Sequence, residues 1–476
     1  MPAAGGDHFD LVVLGSGPAG EKGAAQAAYY GKRVAIVEKE PVVGGACANT
    51  GTLPSKTLRE SAIYLSDLRQ RDIYGVELHH DHEISIAEFM RQKELVTQRE
   101  RERILANLAH HQIELVRGAA TFVDAHTLRV GDRTLTADVF LIATGSSPRR
   151  VPEIPFEDPD VDDSDEVLHM DRIPASFIVV GAGVIGCEYA SIIAALGKTK
   201  VTLIEARDRI LNFVDDELGA RMTQAFQRIG MDVLCGEQVA TYDKPEPRHV
   251  RVTLKSGKVI DAERLLAASG RAGNTKGLGL EAIGVKLDDR GLIVIDKTYQ
   301  TTVSHIFAAG DVVGPPSLVS TSMEQGRIAM CHAFGFTYKQ HLAAQFPYGL
   351  YTIPEAAMIG DTEQQARKRA GDGGIAVGRA FYKDNARGQI INDLDGMMKL
   401  IFELPSQKLI GAHIIGERAT DLIHVAQAVM AFGGTLDYFI QSVFNYPTLG
   451  DLYKYAAYDA LRAITLTKQP SDPLRV

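Results

Sequence analysis

Six glycines and two glutamates carry the clearest chemistry in this chain. Gly15, Gly17 and Gly20 follow the apolar run Phe9 to Leu14, and Gly181, Gly183 and Gly186 follow the run FIVV. In each copy a carboxylate, Glu38 or Glu205, closes the next apolar run, 23 or 24 positions after the first glycine. The first glycine allows a tight strand-to-helix turn, the second lets backbone approach a pyrophosphate, and the third lets helix pack closely on strand. The helix N-terminus then offers unpaired N–H groups and a positive dipole to phosphates, while the carboxylate receives ribose hydroxyls. One such motif is weak. Two copies, each in strand–turn–helix–strand context, predict two dinucleotide sites and electron traffic between two cofactors.

Further reactive residue types sit beside these turns. GGACANTGTLPSK, residues 44–56, holds one cysteine, Cys47, with Thr52 five positions on. By residue type alone, Cys47 is a small packed residue, and Lys56 could be a surface lysine on a helix running into TLRESAIYL. Cys187 and Cys331 read as packing residues. After the second copy, Glu205 disfavours a 2′-phosphate and so favours NAD(H), whereas Arg207 and Arg209 next to it could accommodate NADP(H). The residues alone leave open whether those arginines are only solvated loop charges.

Such sites need several domains to position them, and 476 residues exceed what one core supports. The chain is 45% hydrophobic and 23% charged, which fits a soluble globular protein and argues against disorder or a membrane span. With 51 basic and 60 acidic side chains the net charge is −9, so no overall field favours nucleic acid or an anionic membrane. The run RERER at 99–103 reads as a solvated helix face. Four cysteines, none at zinc-ligand spacing, and no secretory signal in MPAAGGDHFDLVVLG lead to the expectation of a cytoplasmic protein without a metal site. FLIATGSSP and VSHIFAAGDVVG read as buried strands, the first ending a domain and the second reopening it. EDPDVDDSDEVL, residues 157–168, reads as a solvated acidic linker. Past residue 340 the pattern becomes strand-rich, with a hairpin around Pro405 and Ser406 and helices in TDLIHVAQAVMAF and DLYKYAAYDALRAI. The expected class is α/β, with two Rossmann-like dinucleotide-binding domains and a C-terminal α+β domain. The expected bounds are 1–150 with 276–340, then 151–275, then 341–476.

GSGPAG, GGACANTGTLPSK, ATGSSP, GAGVIGCEYAS, AAGDVVG and FNYPTLGDLY, in that order, resemble the flavin-dependent pyridine nucleotide-disulfide oxidoreductases along essentially the whole chain. The resemblance implies that the first fold binds FAD, the second NAD or NADP, and that the C-terminal domain builds a homodimer or a larger homo-oligomer. By matching position it places Gly15, Gly17, Gly20, Glu38 and Lys39 around FAD, with Gly45, Cys47, Gly145 and Asp311. It also aims the helix after Pro316 at the flavin. Gly181, Gly183, Gly186, Glu205 and Arg207 would hold the nicotinamide nucleotide. Lys56 would lie beside the reactive flavin nitrogen, ion-paired with Glu188, where a cation stabilises developing negative charge.

Two positions depart from the family pattern. The disulfide enzymes carry a second cysteine where this chain has Thr52, and a hydroxyl can neither form a disulfide nor act as a thiolate. Their C-terminal His-Pro-Thr and Glu become Tyr446-Pro447-Thr448 and Asp451. A single cysteine with GTLPSK and FNYPT resembles the soluble, FAD-containing (Si-specific) transhydrogenase subfamily. That resemblance implies hydride transfer between NADPH and NAD⁺ through FAD, without a dithiol relay. The alternatives are an NAD(P)H:acceptor reductase or diaphorase acting on a quinone or dye, and a non-catalytic flavin-bound redox sensor.

Overall fold

The computed structural model describes residues 7–66 and 84–468. It opens with strand β1 (His8–Leu14), helix α1 (Pro18–Tyr29) and strand β2 (Val34–Glu38). β1 and β2 pair in parallel from Leu11↔Val34 to Leu14↔Val37. Both read as unbroken apolar runs because both sheet faces are covered, and Leu11, Val12, Val13, Ala35 and Ile36 are fully buried. Helices α2 (Gly45–Asn49), α3 (Thr52–Leu65) and α4 (Ile86–His110) follow, α4 starting on a capping box between Ser85 and Glu88. Strands β3 (Glu114–Arg117), β4 (Ala120–Asp124), β5 (Thr127–Val130) and β6 (Arg133–Ile142) complete the first passage, in the order β3-β2-β1-β6-β5-β4.

The short strand β7 (Ser146–Pro148) leaves this sheet. Next come β8 (Val161–Asp162), β9 (Ser176–Val180), α5 (Val184–Ala195), β10 (Lys200–Glu205), α6 (Asp216–Arg228) and β11 (Asp232–Cys235). An antiparallel meander of β12 (Val239–Glu246), β13 (His249–Leu254) and β14 (Val259–Ala262) precedes β15 (Arg264–Ala267). The second sheet has the parallel order β11-β10-β9-β15-β8, so β9–α5–β10 repeats β1–α1–β2. Strand β16 (Arg271–Gly273) pairs antiparallel with β7, so the chain returns beside the point where it left. β17 (Ile306–Ala308) then joins β6 in parallel, and α7 (Val319–Ala333) packs on α1. Their backbones approach closely: a Cβ at Gly326 would stand 2.1 Å from the Ala19 carbonyl oxygen.

The third unit comprises β18 (Tyr348–Leu350), β19 (Ala356–Gly360), α8 (Glu363–Ala370), β20 (Ile375–Phe381), α9 (Ala386–Ile390), β21 (Met397–Glu403) and β22 (Leu409–Ile415). Helices α10 (Ala419–Ala431), α11 (Leu436–Gln441) and α12 (Leu452–Lys468) follow. The sheet is antiparallel, β18-β19-β22-β21-β20, and β21–β22 is the hairpin expected around Pro405 and Ser406. Stacked Phe439 and Tyr453 rings centre its core. In β21 one buried position is charged: the Lys399 ammonium is shared between Asp215 and Glu363, each at 2.7 Å. Among the described residues no helix is long and apolar enough to cross a membrane, and no cluster of His, Cys, Asp or Glu could hold a metal.

Two local expectations are corrected. The acidic connector is no solvated linker: Asp160, Asp162, Asp163 and Ser164 are buried. Arg172 and Lys244 each hold Asp160 at 2.6 Å, Arg264 grips Asp162 at 2.5 and 2.9 Å, and Arg150 reaches Asp163 at 3.0 Å. Carboxylates can leave water when paired in this way. The run at 99–103 is only partly a solvated face. Arg101 Nε donates to Asn49 Oδ1 at 2.7 Å, and Arg103 donates to the buried Glu21 at 3.3 Å.

Candidate functional site

The two glycine turns have nearly superimposable logic. Gly15 and Gly181 adopt φ of +99° and +102°, a left-handed conformation that favours glycine. A Cβ at Gly20 would lie 1.9 Å from the Gly15 carbonyl oxygen, and one at Gly186 would lie 1.8 Å from that of Gly181. No side chain larger than hydrogen fits at either third glycine. The second glycines, Gly17 and Gly183, are the N-caps of α1 and α5, and no side chain caps either helix. A Cβ at Gly183 would meet nothing within 4 Å, and one at Gly17 would meet only Gly45 Cα at 3.9 Å. Open space in front of uncapped N–H groups is what a pyrophosphate requires.

Glu38 and Glu205 end β2 and β10, and each turns its carboxylate back to brace its own glycine turn. Glu38 Oε2 accepts from Ser16 N at 3.0 Å and from Ser16 Oγ at 2.6 Å, while Gly44 N donates to Ser16 Oγ at 3.0 Å. Glu205 Oε2 accepts from Ala182 N at 2.8 Å. Its other oxygen takes Arg207 N at 3.0 Å and Arg207 Nε at 3.1 Å, and Arg207 Nη1 donates to Asn212 Oδ1 at 2.5 Å. Arg209 is held by Asp216 and by the Asn212 carbonyl. By contrast, Lys39 points outward, 63% exposed, with Glu40 at 3.6 Å.

Between the turns, α2 and α3 carry the remaining candidates. Gly45 adopts φ +55° and lies over Gly17. Burial, with the Glu100 and Glu21 carboxylates nearby, pushes the Cys47 thiol up to about 11, so it stays protonated near neutral pH. All four cysteines are free, and Cys187 and Cys331 are buried. Thr52 opens α3, and one turn further Lys56 points away from open solvent: its Nζ donates to Glu188 Oε2 at 2.6 Å, with the Glu188 carboxylate 4% exposed. Lys56 is thus a half-buried, ion-paired side chain and not a freely solvated one. Glu188 lies on α5, so this ion pair joins the two nucleotide folds.

Asp311 follows β17, and its Oδ2 accepts from Ser146 Oγ at 2.7 Å. Gly145, at φ +69°, leads into that serine. Arg271 holds Ser146 at both its Oγ (2.9 Å) and its carbonyl (2.7 Å), and pairs with Asp165 at 3.3 Å. α7 begins at Val319 without a side-chain cap, leaving its first N–H groups free to face an anion. Ser16, Ser146, Asn212 and Arg271 are site residues that the sequence reading did not single out. Ser16, inside the first glycine motif, had a signal in its position. For the others the partners are brought together only by the fold. Tyr446 is 74% exposed, as are Phe432 (91%) and Val443 (94%), on the third unit.

Comparison with known proteins gives the family. The family model for pyridine nucleotide-disulphide oxidoreductase matches residues 9–326, and the model for that family's dimerisation domain matches residues 346–457. The soluble pyridine nucleotide transhydrogenase of Mycobacterium bovis (strain BCG / Pasteur 1173P2) is 42% identical over 468 residues, 97% of this chain and 99% of that protein. The protein of the same name from Pseudomonas aeruginosa (strain LESB58) is 38% identical over 467 residues, 96% and 99% of the two chains. In structure the chain is similar to the HOCl-induced flavoprotein disulfide reductase RclA from Escherichia coli in its Cu(II) complex. The TM-score is 0.85 at 26% identity, over 95% of this chain and 99% of that one. LpdA from Mycobacterium tuberculosis gives 0.85 at 26%, over 94% and 98%. With both nucleotide turns, the bridging ion pair and matches over nearly its full length, the chain belongs to the pyridine nucleotide-disulphide oxidoreductase family, as an oxidoreductase with FAD as cofactor and pyridine nucleotides as substrates.

Proposed function

We propose that this enzyme is a soluble NAD(P)⁺ transhydrogenase: NADPH and NAD⁺ enter, NADP⁺ and NADH leave, and no dithiol takes part. The observation that carries this reading is the redox turn. Its one thiol, Cys47, is held protonated, and Thr52 stands where a partner sulfur would be needed. The transhydrogenase relatives support it.

The open cradle before α1 fits a pyrophosphate, so Gly15, Gly17, Gly20, Glu38, Gly45, Gly145 and Asp311 would hold FAD, with Lys39 at the rim. When bound, FAD supplies a two-electron carrier that accepts hydride from one nucleotide and returns it to another. The protein's part is binding and electrostatics. Gly181, Gly183, Gly186, Glu205 and Arg207 would bind both nicotinamide nucleotides in turn. Glu205 would serve the 2′-hydroxyl of NAD(H), and Arg207, on swinging off Glu205, the 2′-phosphate of NADP(H). Lys56 and Glu188 would be the catalytic pair, a fixed cation and the carboxylate that aims it. Residues 1–150 with 276–340, 151–275 and 341–476 would form the FAD-binding, NAD(P)-binding and interface domains. The dimerisation-domain match and the exposed Phe432, Val443 and Tyr446 support a homodimer, which we place in the cytoplasm.

The test is to mix the holoenzyme with NADPH and thio-NAD⁺, without quinone or disulfide, and follow thio-NADH. Its appearance at a rate matching NADPH loss is expected. NADPH loss only with an added quinone or dye would favour the acceptor-reductase reading. Turnover of lipoamide as fast as nucleotide exchange would remove the no-dithiol element.

A further inference from the structure

The Lys56–Glu188 pair is held by a third residue, which comes from neither nucleotide fold. Tyr351, just after β18, donates its backbone N–H to Glu188 Oε1 at 3.0 Å, the oxygen that Lys56 does not use. Its ring lies under the lysine: Lys56 Nζ is 5.0 Å from the ring centroid, within cation–π range. The segment is itself pinned to both helices. Arg59 Nε on α3 donates to the Thr352 carbonyl at 3.0 Å, and Ile353 N donates to Ser191 Oγ on α5 at 3.1 Å. Glu355, in turn, accepts from Thr420 N and Oγ1 at 2.6 and 2.5 Å and pairs with Arg59 at 3.3 Å.

We infer that Tyr351 is a positioning residue for hydride transfer, with its N–H fixing the Glu188 carboxylate and its ring face fixing the Lys56 ammonium. Without the ring, Lys56 keeps Glu188 and a long bond to Ser55 Oγ at 3.4 Å, and regains rotamers about its long stem. The charge then spends less time where transfer needs it, and a misplaced charge stabilises less. The backbone N–H remains in these side-chain variants, and the phenol hydroxyl, which bonds Thr420, is absent from Phe and Leu alike, so comparing the two isolates the ring. This inference rests on the catalytic reading of Lys56 given above.

The experiment uses FAD-loaded enzyme and two readouts: the rate at which NADPH bleaches the flavin absorbance in stopped flow, and the flavin midpoint potential. Lys56→Ala is expected to slow bleaching about 100-fold and lower the potential. Tyr351→Leu should slow it about tenfold and lower the potential in the same direction, with FAD content unchanged. Tyr351→Phe, which keeps the ring face, should stay within about twofold of wild type. In a Lys56→Ala background Tyr351→Leu should add nothing, because the ring acts through the lysine. Should Tyr351→Leu fail to fold, Tyr351→Met provides the same loss of ring. Normal bleaching in Tyr351→Leu with slow bleaching in Lys56→Ala would overturn the role of Tyr351 while leaving that of Lys56 intact. Equal slowing by Tyr351→Leu with and without Lys56 would reduce Tyr351 to a structural residue. Normal bleaching in Lys56→Ala would remove the catalytic pair, and this inference with it.

Discussion

The two glycine turns share one geometry and differ in what lies on the glutamate. In the first, Ser16 and the backbone of residues 16 and 40 use both carboxylate oxygens of Glu38, and Ser16 also receives Gly44 N from the redox turn. In the second, Ala182 offers only its backbone, and a long cation, Arg207, lies 56% exposed across Glu205. The first arrangement is closed with short, neutral donors and suits a ligand that stays. The second carries a half-exposed charge which, on the function proposed above, would exchange Glu205 for an incoming phosphate and suit ligands that come and go.

The most drastic way to break the comparison is to fill the third glycine of each turn. Gly20→Ala should yield colourless protein, whereas Gly186→Ala should stay yellow yet fail to bleach with NADPH, because each Cβ would overlap a carbonyl oxygen. Flavin-to-protein ratio and stopped-flow absorbance check this. Next in size, Arg207→Ala should reduce kcat/KM for NADPH by about tenfold or more while sparing NADH, since a charge-assisted bond is worth about 1.5–3 kcal/mol. Loss of both activities together would mean that Arg207 only braces the turn. Glu205→Gln is the sharper companion to this variant than Glu205→Ala, because the carboxylate also anchors Ala182 N.

Ser16→Ala probes what is special to the first turn. Removal of its hydroxyl bonds should cost about 1 kcal/mol of FAD binding, roughly a fivefold rise in Kd, with no effect on nucleotide preference. The smallest effect concerns the far end of the second turn's loop, where Asp215 is buried against Lys399 and His413 sits nearby. Burial holds His413 below the usual histidine range, and its Nδ1 has no hydrogen-bond partner among the described residues. The unfolded chain therefore binds a proton there that the folded chain does not, and stability should fall as pH drops below about 6.5. Burial pushes the Asp215 carboxyl up, but the Lys399 ammonium and the Glu363 N–H outweigh it and keep it low. Its contribution is thus complete at neutral pH and lost below about pH 4. Urea midpoints should show both steps, and His413→Gln should remove the upper one.

How much of this was legible before the fold was known depends on sequence distance. The turns, their glutamates and the repeat were readable because each lies within one strand–turn–helix–strand unit, where spacing sets geometry. The Lys56–Glu188 pair, 132 residues apart, was reachable only through family resemblance. Tyr351 was not reachable at all, because a backbone N–H and a ring face leave no mark in a motif. The acidic connector was misread for a related reason: Lys244 and Arg264 lie far downstream, and the pairing of the nearby Arg150 and Arg172 with its carboxylates is set by the fold and not by spacing.

The ladder between β7 and β16 bears on how such a molecule could arise. Pro148 stands opposite Arg271, and Ser146 opposite Gly273, so the segment between them departs and rejoins at adjacent points. The second parallel sheet thus lies as an insertion between two neighbouring strands of the chain that builds the first. Residues 149–270 can thus be bridged by a short turn without crossing any strand of the first sheet, since β6 and β17 pair outside that segment.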